Sequence, residues 1–202
     1  LYNSAVLLGP RGQVQQVYDK HRLVPFGEYI PLGDVLSGIG LHGLAAKDGN
    51  GFAAGPGPVM MDMGPDLGRA LPLICYEAVF PKDARAASGR PDFLMQLTND
   101  AWFGTFSGPY QHLAQARLRA IEQGLPMARA ANTGVSAMID PYGRLTAQIA
   151  LGKAGYVDAV LPEALPKTIY TRTGDWTVAV LGLLAVAASG LWGGAFGRKN
   201  PR

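Results

Sequence analysis

Arg69-Ala70-Leu71-Pro72-Leu73-Ile74-Cys75-Tyr76-Glu77 carries an apolar run into the only cysteine of the chain, with a carboxylate two positions later. Its length and bounding residues predict a buried strand. Residues 78–87, with Pro81 near the start and Gly89 just past the end, predict a helix. A thiol where a strand gives way to a helix sits at a sheet edge, close to unpaired N–H groups. Such groups favour a thiolate and hold an oxyanion. Cys75 is therefore a candidate nucleophile. The alternative is an inert buried thiol, since free cysteine packs as a small hydrophobe.

Upstream, residues 5–8 and 13–18 predict two strands of a hairpin about Gly9-Pro10-Arg11-Gly12. The hairpin leads into Tyr18-Asp19-Lys20-His21-Arg22-Leu23-Val24-Pro25-Phe26-Gly27-Glu28-Tyr29-Ile30-Pro31, where Lys20 and Glu28 lie eight positions apart. A lysine at a strand end is commonly a solvated surface charge and a glutamate before an aromatic a turn residue, and each is also a candidate functional group. Residues 32–58 hold eight glycines between positions 33 and 57 and scattered apolar residues, with Val35, Leu36 and Ile39 spaced for one helical turn. A connection this long is a lid, a binding loop or a surface insertion.

Downstream, residues 59–63 predict a short strand and 92–98 a buried one, which ends in Asn99-Asp100-Ala101-Trp102-Phe103-Gly104. Pro109 starts a helix whose Ala114, Leu118, Ile121 and Leu125 predict its buried face, with Gln111, Gln115 and Arg119 on another. Residues 126–131 predict a strand, 135–140 and 145–149 a hairpin, and 155–161 a last strand. Interleaved strands, helices and hairpins favour a mixed α/β layered domain. The domain is expected to end near residue 166, with a linker over 167–175.

Apolar residues make up 48% of the 202 and charged ones 16%, a low charge content. The shortfall is local: residues 176–197 contain no charge. These 22 residues exceed the roughly 20 needed to cross a hydrocarbon core, and Trp176 and Trp192 stand near the two ends. A transmembrane helix is expected there. Arg198, Lys199 and Arg202 then favour a cytoplasmic C-terminus, with the domain on the opposite side. The net charge of +3 is scattered, and no basic run is interleaved with aromatics, so no nucleic-acid partner is expected. One cysteine rules out an intrachain disulfide, and His21, His42 and His112 make no metal-ligand spacing. The chain opens on Leu1-Tyr2-Asn3-Ser4-Ala5-Val6-Leu7, which reads as the inside of a strand, so it is expected to be a fragment.

The order Tyr18 to Glu28, then Cys75-Tyr76-Glu77, resembles the nitrilase superfamily. The finer resemblance is to its apolipoprotein N-acyltransferase branch. It is carried by Leu23 to Pro31, Ile74 to Glu77, Asn99 to Gly104 and Gly108-Pro109-Tyr110-Gln111-His112. Ala131-Asn132-Thr133-Gly134-Val135-Ser136 and Tyr170-Thr171-Arg172-Thr173-Gly174-Asp175-Trp176 extend it. The resemblance implies an α-β-β-α sandwich, present in part, and a Glu–Lys–Cys triad needing no cofactor or metal.

It further implies Cys75 as nucleophile, Lys20 stabilising thiolate and oxyanion, and the Tyr76 N–H assisting. Glu28 and Glu77 are implied as supporting groups. Separately, Trp102-Phe103 and the segment over 32–58 are candidate lid loops that admit acyl chains. The general-base glutamate is expected outside these residues, leaving the piece inactive alone. The implied setting is the bacterial inner membrane, with the catalytic domain periplasmic. A phospholipid would donate the acyl chain, and the α-amine of a diacylglyceryl-cysteine on a lipoprotein would accept it. A membrane-tethered nitrilase-type amidase, with water as acceptor, is the alternative.

Overall fold

The computed structural model describes residues 1–31, 51–85 and 87–196, with side chains to residue 189. Strands β1 (Ser4–Leu8) and β2 (Val14–Asp19) form the expected antiparallel hairpin. Strands β3 (Met61–Asp62), β4 (Arg69–Ile74), β5 (Phe93–Asn99), β6 (Met127–Asn132), β7 (Ser136–Ile139) and β8 (Leu145–Ile149) make one sheet in sequence order. β4, β5 and β6 run parallel, and antiparallel neighbours flank them on both sides. The parallel centre is buried on both faces, so β4 reads as a continuous apolar run.

One face of the sheet packs Leu71, Leu73 and Leu94 against a long helix, α2 (Gly108–Gln123), through Leu113, Ala116 and Ala120. Pro109 sits in its first turn, and Gly124 ends it in the left-handed conformation at φ 62°. The opposite face packs Met61 and Ile74 against Ala5 and Tyr18 of the hairpin. Gln16 ties hairpin to sheet, its Oε1 accepting from the Asp62 amide at 3.0 Å. The helix expected over 78–87 is divided into a tight 3-10 turn over Cys75–Val79 and a short α1 (Pro81–Arg85).

Two expectations need correction. The buried face of α2 is not Ala114, Leu118 and Ile121: Leu118 and Ile121 are half exposed. His112, Leu113, Ala116, Arg119, Ala120 and Gln123 face inward instead, because buried partners satisfy most of the polar groups among them. Residues 155–161 form no strand. Tyr156 and Val157 border an open hollow that Met95, Ala128 and Met138 also line, and the segment stays largely exposed. The linker over 167–175 contains a short helix, α3 (Ile169–Thr173), capped by the Thr168 hydroxyl accepting from the Thr171 amide.

Helix α4 (Trp176–Phe196) follows, and Trp176, Val178, Leu183, Leu184 and Val186 are exposed on it. Among the described residues no helix is long and apolar enough to cross a membrane, so the transmembrane span expected over 176–197 is not shown. Most of the glycine-rich loop over 32–58, including Val35, Leu36 and Ile39, lies outside the described residues, as do His42 and the basic tail.

Candidate active site

Parallel strands bring their carboxyl ends to one edge, the usual place for a ligand on an open α/β sheet. Here that edge holds Cys75 after β4, Asp100 after β5 and Thr133 after β6. Cys75 and Thr133 both have left-handed backbones, at φ 52° and φ 55°. A non-glycine residue there costs roughly 1–2 kcal/mol. That strain has to be held by the surroundings.

Glu77 supplies one hold. Fully buried, it accepts from the Ile74 amide at 2.7 Å, the Tyr18 hydroxyl at 2.9 Å, and the His21 and Arg22 amides at 2.9 and 3.2 Å. Burial, and then the Glu77 charge, push the Tyr18 hydroxyl far above its ordinary range, so it stays a donor. Asp83 continues the cluster, pairing bidentately with Arg22, whose guanidinium also lies over the Phe80 ring. With four donors on it, Glu77 is a buttress beneath the thiol.

The first residues after β2 carry Lys20, 1% exposed. Its Nζ donates to Glu28 Oε1 at 2.8 Å and to Oε2 at 2.6 Å. Glu28 also accepts from Asn3 Nδ2 at 3.0 Å and from the Val24 amide at 2.8 Å. The left-handed Phe26 (φ 62°) turns the chain so that Glu28 comes back onto Lys20. Two of the three ammonium N–H groups are thereby engaged, and the pair is neutral overall.

Lys20, Glu28, Cys75, Tyr76, Trp102 and Phe103 line one cavity of about 390 Å³. Val24 and Phe52 make its wall more apolar. Trp102 and Phe103 are about half exposed and stand at the mouth, on a tight turn that Asn99 caps by accepting from the Ala101 amide. A larger hollow of about 570 Å³ lies alongside, lined by His21, Arg22, Tyr29 and Phe80, but it touches neither Cys75 nor Lys20. The structure thus gathers every sequence-expected residue except Glu77, which lies behind the cavity.

Four further residues meet under Cys75. Gln96 of β5, Asp100, His112 of α2 and Arg129 of β6 are all nearly or fully buried. Arg129 has only donors, so their directions follow. It donates to Gln96 Oε1, to Asp100 Oδ2 at 2.5 Å and to the Val135 carbonyl at 3.1 Å. His112 Nδ1–H donates to Asp100 Oδ1 at 2.8 Å, and Thr98 donates to the same oxygen at 3.1 Å. With its oxygen on Arg129, Gln96 turns Nε2 toward His112 Nε2 at 3.1 Å and toward the Cys75 carbonyl at 3.4 Å. Burial alone would raise the Asp100 carboxyl. The His112 hydrogen bond and the Arg129 charge outweigh it and hold Asp100 below the ordinary carboxylate value. Burial pushes Arg129 down from its usual value, opposed mainly by Asp100 and in smaller part by the Cys75 charge.

Sequence reasoning gave these four no role. The available signal was a lone glutamine inside the apolar run Phe93 to Leu97 and a lone arginine inside Met127 to Ala131. A polar side chain in a strand buried on both faces must find a partner. No group of metal-ligating side chains that could hold an ion occurs among the described residues.

The thiol at the carboxyl edge of the parallel strands lines one cavity with a buried lysine–glutamate pair, on a mixed α/β sheet. Residues 1–167 match the carbon-nitrogen hydrolase family model, and the chain belongs to that family. Among curated relatives, the apolipoprotein N-acyltransferase of Bradyrhizobium diazoefficiens is 52% identical over 185 residues, covering 92% of this chain and 34% of its own length. That of Rhodopseudomonas palustris is 49% identical over 180 residues, covering 89% of this chain and 33% of its own. The chain thus spans about a third of the length of these relatives. Among solved structures, a Saccharomyces cerevisiae member of branch 10 of the nitrilase superfamily superposes with a TM-score of 0.54 at 18% identity. That match covers 76% of this chain and 51% of the other, and it supports the nitrilase-like α/β fold.

Proposed function

We propose that this chain is the acyl-transferring part of an apolipoprotein N-acyltransferase. One observation carries the reading: Cys75 and the Lys20–Glu28 pair share a cavity whose mouth is Trp102 and Phe103. A neutral lysine–carboxylate pair beside a thiol suits chemistry in which negative charge appears on sulfur and then on oxygen. The Cys75 thiolate attacks the ester carbonyl of a phospholipid, and the third Lys20 N–H with the Tyr76 N–H receives the oxyanion. Collapse breaks the bond to the lysophospholipid oxygen and leaves a thioester. The α-amine of a diacylglyceryl-cysteine then attacks the thioester and returns the thiol.

Neither Glu28 nor Glu77 suits the proton transfers, because both are covered by fixed donors. That role falls to a glutamate outside the described residues. The exposed apolar side chains of α4 and the lack of charge over 176–197 support a seat for that helix in the bilayer. The basic residues after it support a cytoplasmic C-terminus and a periplasmic domain.

The test incubates the full-length gene product with acyl-labelled phospholipid and follows Cys75 by mass spectrometry. A thioester-linked acyl chain that forms on the native protein, is lost in Cys75→Ala and is discharged by a lipoprotein-like amine is the expected result. Turnover of a small soluble amide with no phospholipid adduct would instead favour the membrane-tethered amidase.

A further inference from the structure

We infer that the buried Arg129–Asp100–His112–Gln96 network is the positioning device of the oxyanion site, acting on the peptide that joins Cys75 to Tyr76. The inference rests on the nucleophilic reading of Cys75 given above. A trans peptide is planar, and its C=O and N–H point to opposite sides. Gln96 Nε2 draws the Cys75 carbonyl toward the α2 face, where His112 Nε2 also lies 3.3 Å from it. The Cys75 side chain packs with the cluster on the other, hairpin face of the sheet. The Tyr76 N–H is therefore turned away from the network. It belongs to the first turn of the 3-10 helix, where an amide has no intrahelical acceptor.

The chain of donors has one consistent polarity. Arg129 can only donate, so Gln96 cannot flip its amide without facing two donors, and His112 Nε2 accepts from Gln96. Turning the Gln96 amide over would set its Nε2–H groups against the Arg129 donors and its oxygen against the Cys75 carbonyl. Asp100 keeps Arg129 and His112 in place, and Gly134 leaves it room: a Cβ at that glycine would fall 2.3 Å from Asp100 Oδ2. The network reaches no substrate. Its members are positioning residues, and their effect belongs to the step in which the Sγ–C bond forms and the carbonyl electron pair moves onto oxygen.

The experiment compares two reactions of Cys75 in the full-length gene product: acylation by a soluble p-nitrophenyl ester, which passes through an oxyanion, and alkylation by iodoacetamide, which does not. Gln96→Met fills the same volume without donor or acceptor. It is expected to slow acylation about 100-fold, in kcat and not in KM, with alkylation within about threefold of the native rate. Gln96→Glu keeps the Arg129 contact but sets a lone pair against the Cys75 carbonyl, and it serves if the methionine variant unfolds. Equal loss in both reactions, or unchanged acylation, overturns the inference. A native enzyme that accepts the soluble ester but not phospholipid overturns the transferase reading and leaves the positioning role standing. A native Cys75 that takes no acyl group from either donor overturns both.

Discussion

Two polar clusters flank Cys75, and they are built in opposite ways. On the hairpin side, Lys20 and Glu28 come from one short stretch and face a cavity. Under α2, Gln96, Asp100, His112 and Arg129 come from separate places in the chain and bond chiefly to each other, with Thr98, the Val135 carbonyl and the Cys75 carbonyl at the margins. The first cluster, neutral as a pair, leaves one Lys20 N–H for a reacting molecule in the proposed mechanism. The second holds backbone in a conformation the chain would otherwise avoid. On the proposed reading, reactivity at Cys75 needs both, and removing either should fail in a different manner.

Cys75→Ala marks the extreme, with complete loss of the acyl adduct by mass spectrometry and a fold that stays intact by circular dichroism. Lys20→Met should come next, with acylation reduced about 1,000-fold through loss of oxyanion stabilisation, read as single-turnover rates. It leaves Glu28 with its Asn3 and Val24 donors, so the loss should exceed that of any α2-side variant.

Asp100→Asn should break the other cluster mainly through stability. It leaves the Arg129 charge buried and unpaired, at a cost of about 3 kcal/mol in urea denaturation. Because the Asp100 carboxyl is held below its ordinary value, its stabilisation is present above about pH 4, the unfolded carboxylate value, and lost as pH falls through the native value. Denaturation midpoints between pH 6 and pH 3 should therefore drop more steeply in the native protein than in Asp100→Asn. The smallest effect belongs to the cavity mouth. Trp102→Ala and Phe103→Ala should raise KM for phospholipid about tenfold while leaving alkylation of Cys75 and the melting temperature nearly unchanged. Unchanged phospholipid turnover in both would remove the mouth from the substrate path.

The legible parts of the molecule were those whose signal is local. The β1–β2 hairpin, the cysteine strand, β5 and the β7–β8 hairpin follow from apolar runs and turn residues. Helix α2 was legible in extent but not in orientation. Its Leu118 and Ile121 outweigh Ala116 and Ala120 on any hydrophobic count, yet the inward face carries His112 and Arg119. Buried partners overturn a ranking that assumes polar side chains seek water. Residues 155–161 form no strand although β8 leaves a free edge nearby, because strand-like composition alone does not bring a segment into register with it.

The sequence by itself determined the chemistry on offer: one thiol, a lysine and glutamate eight apart, and aromatic residues after a buried strand. It also determined that the thiol would fall where β4 ends, because the apolar run stops there. Only the tertiary structure decided that Cys75 stands in a left-handed backbone, with its side chain toward one face of the sheet and its carbonyl toward the other. The reason is that a peptide's direction is set by what accepts and donates across it. The donor to the Cys75 carbonyl, Gln96, lies 21 residues further along the chain.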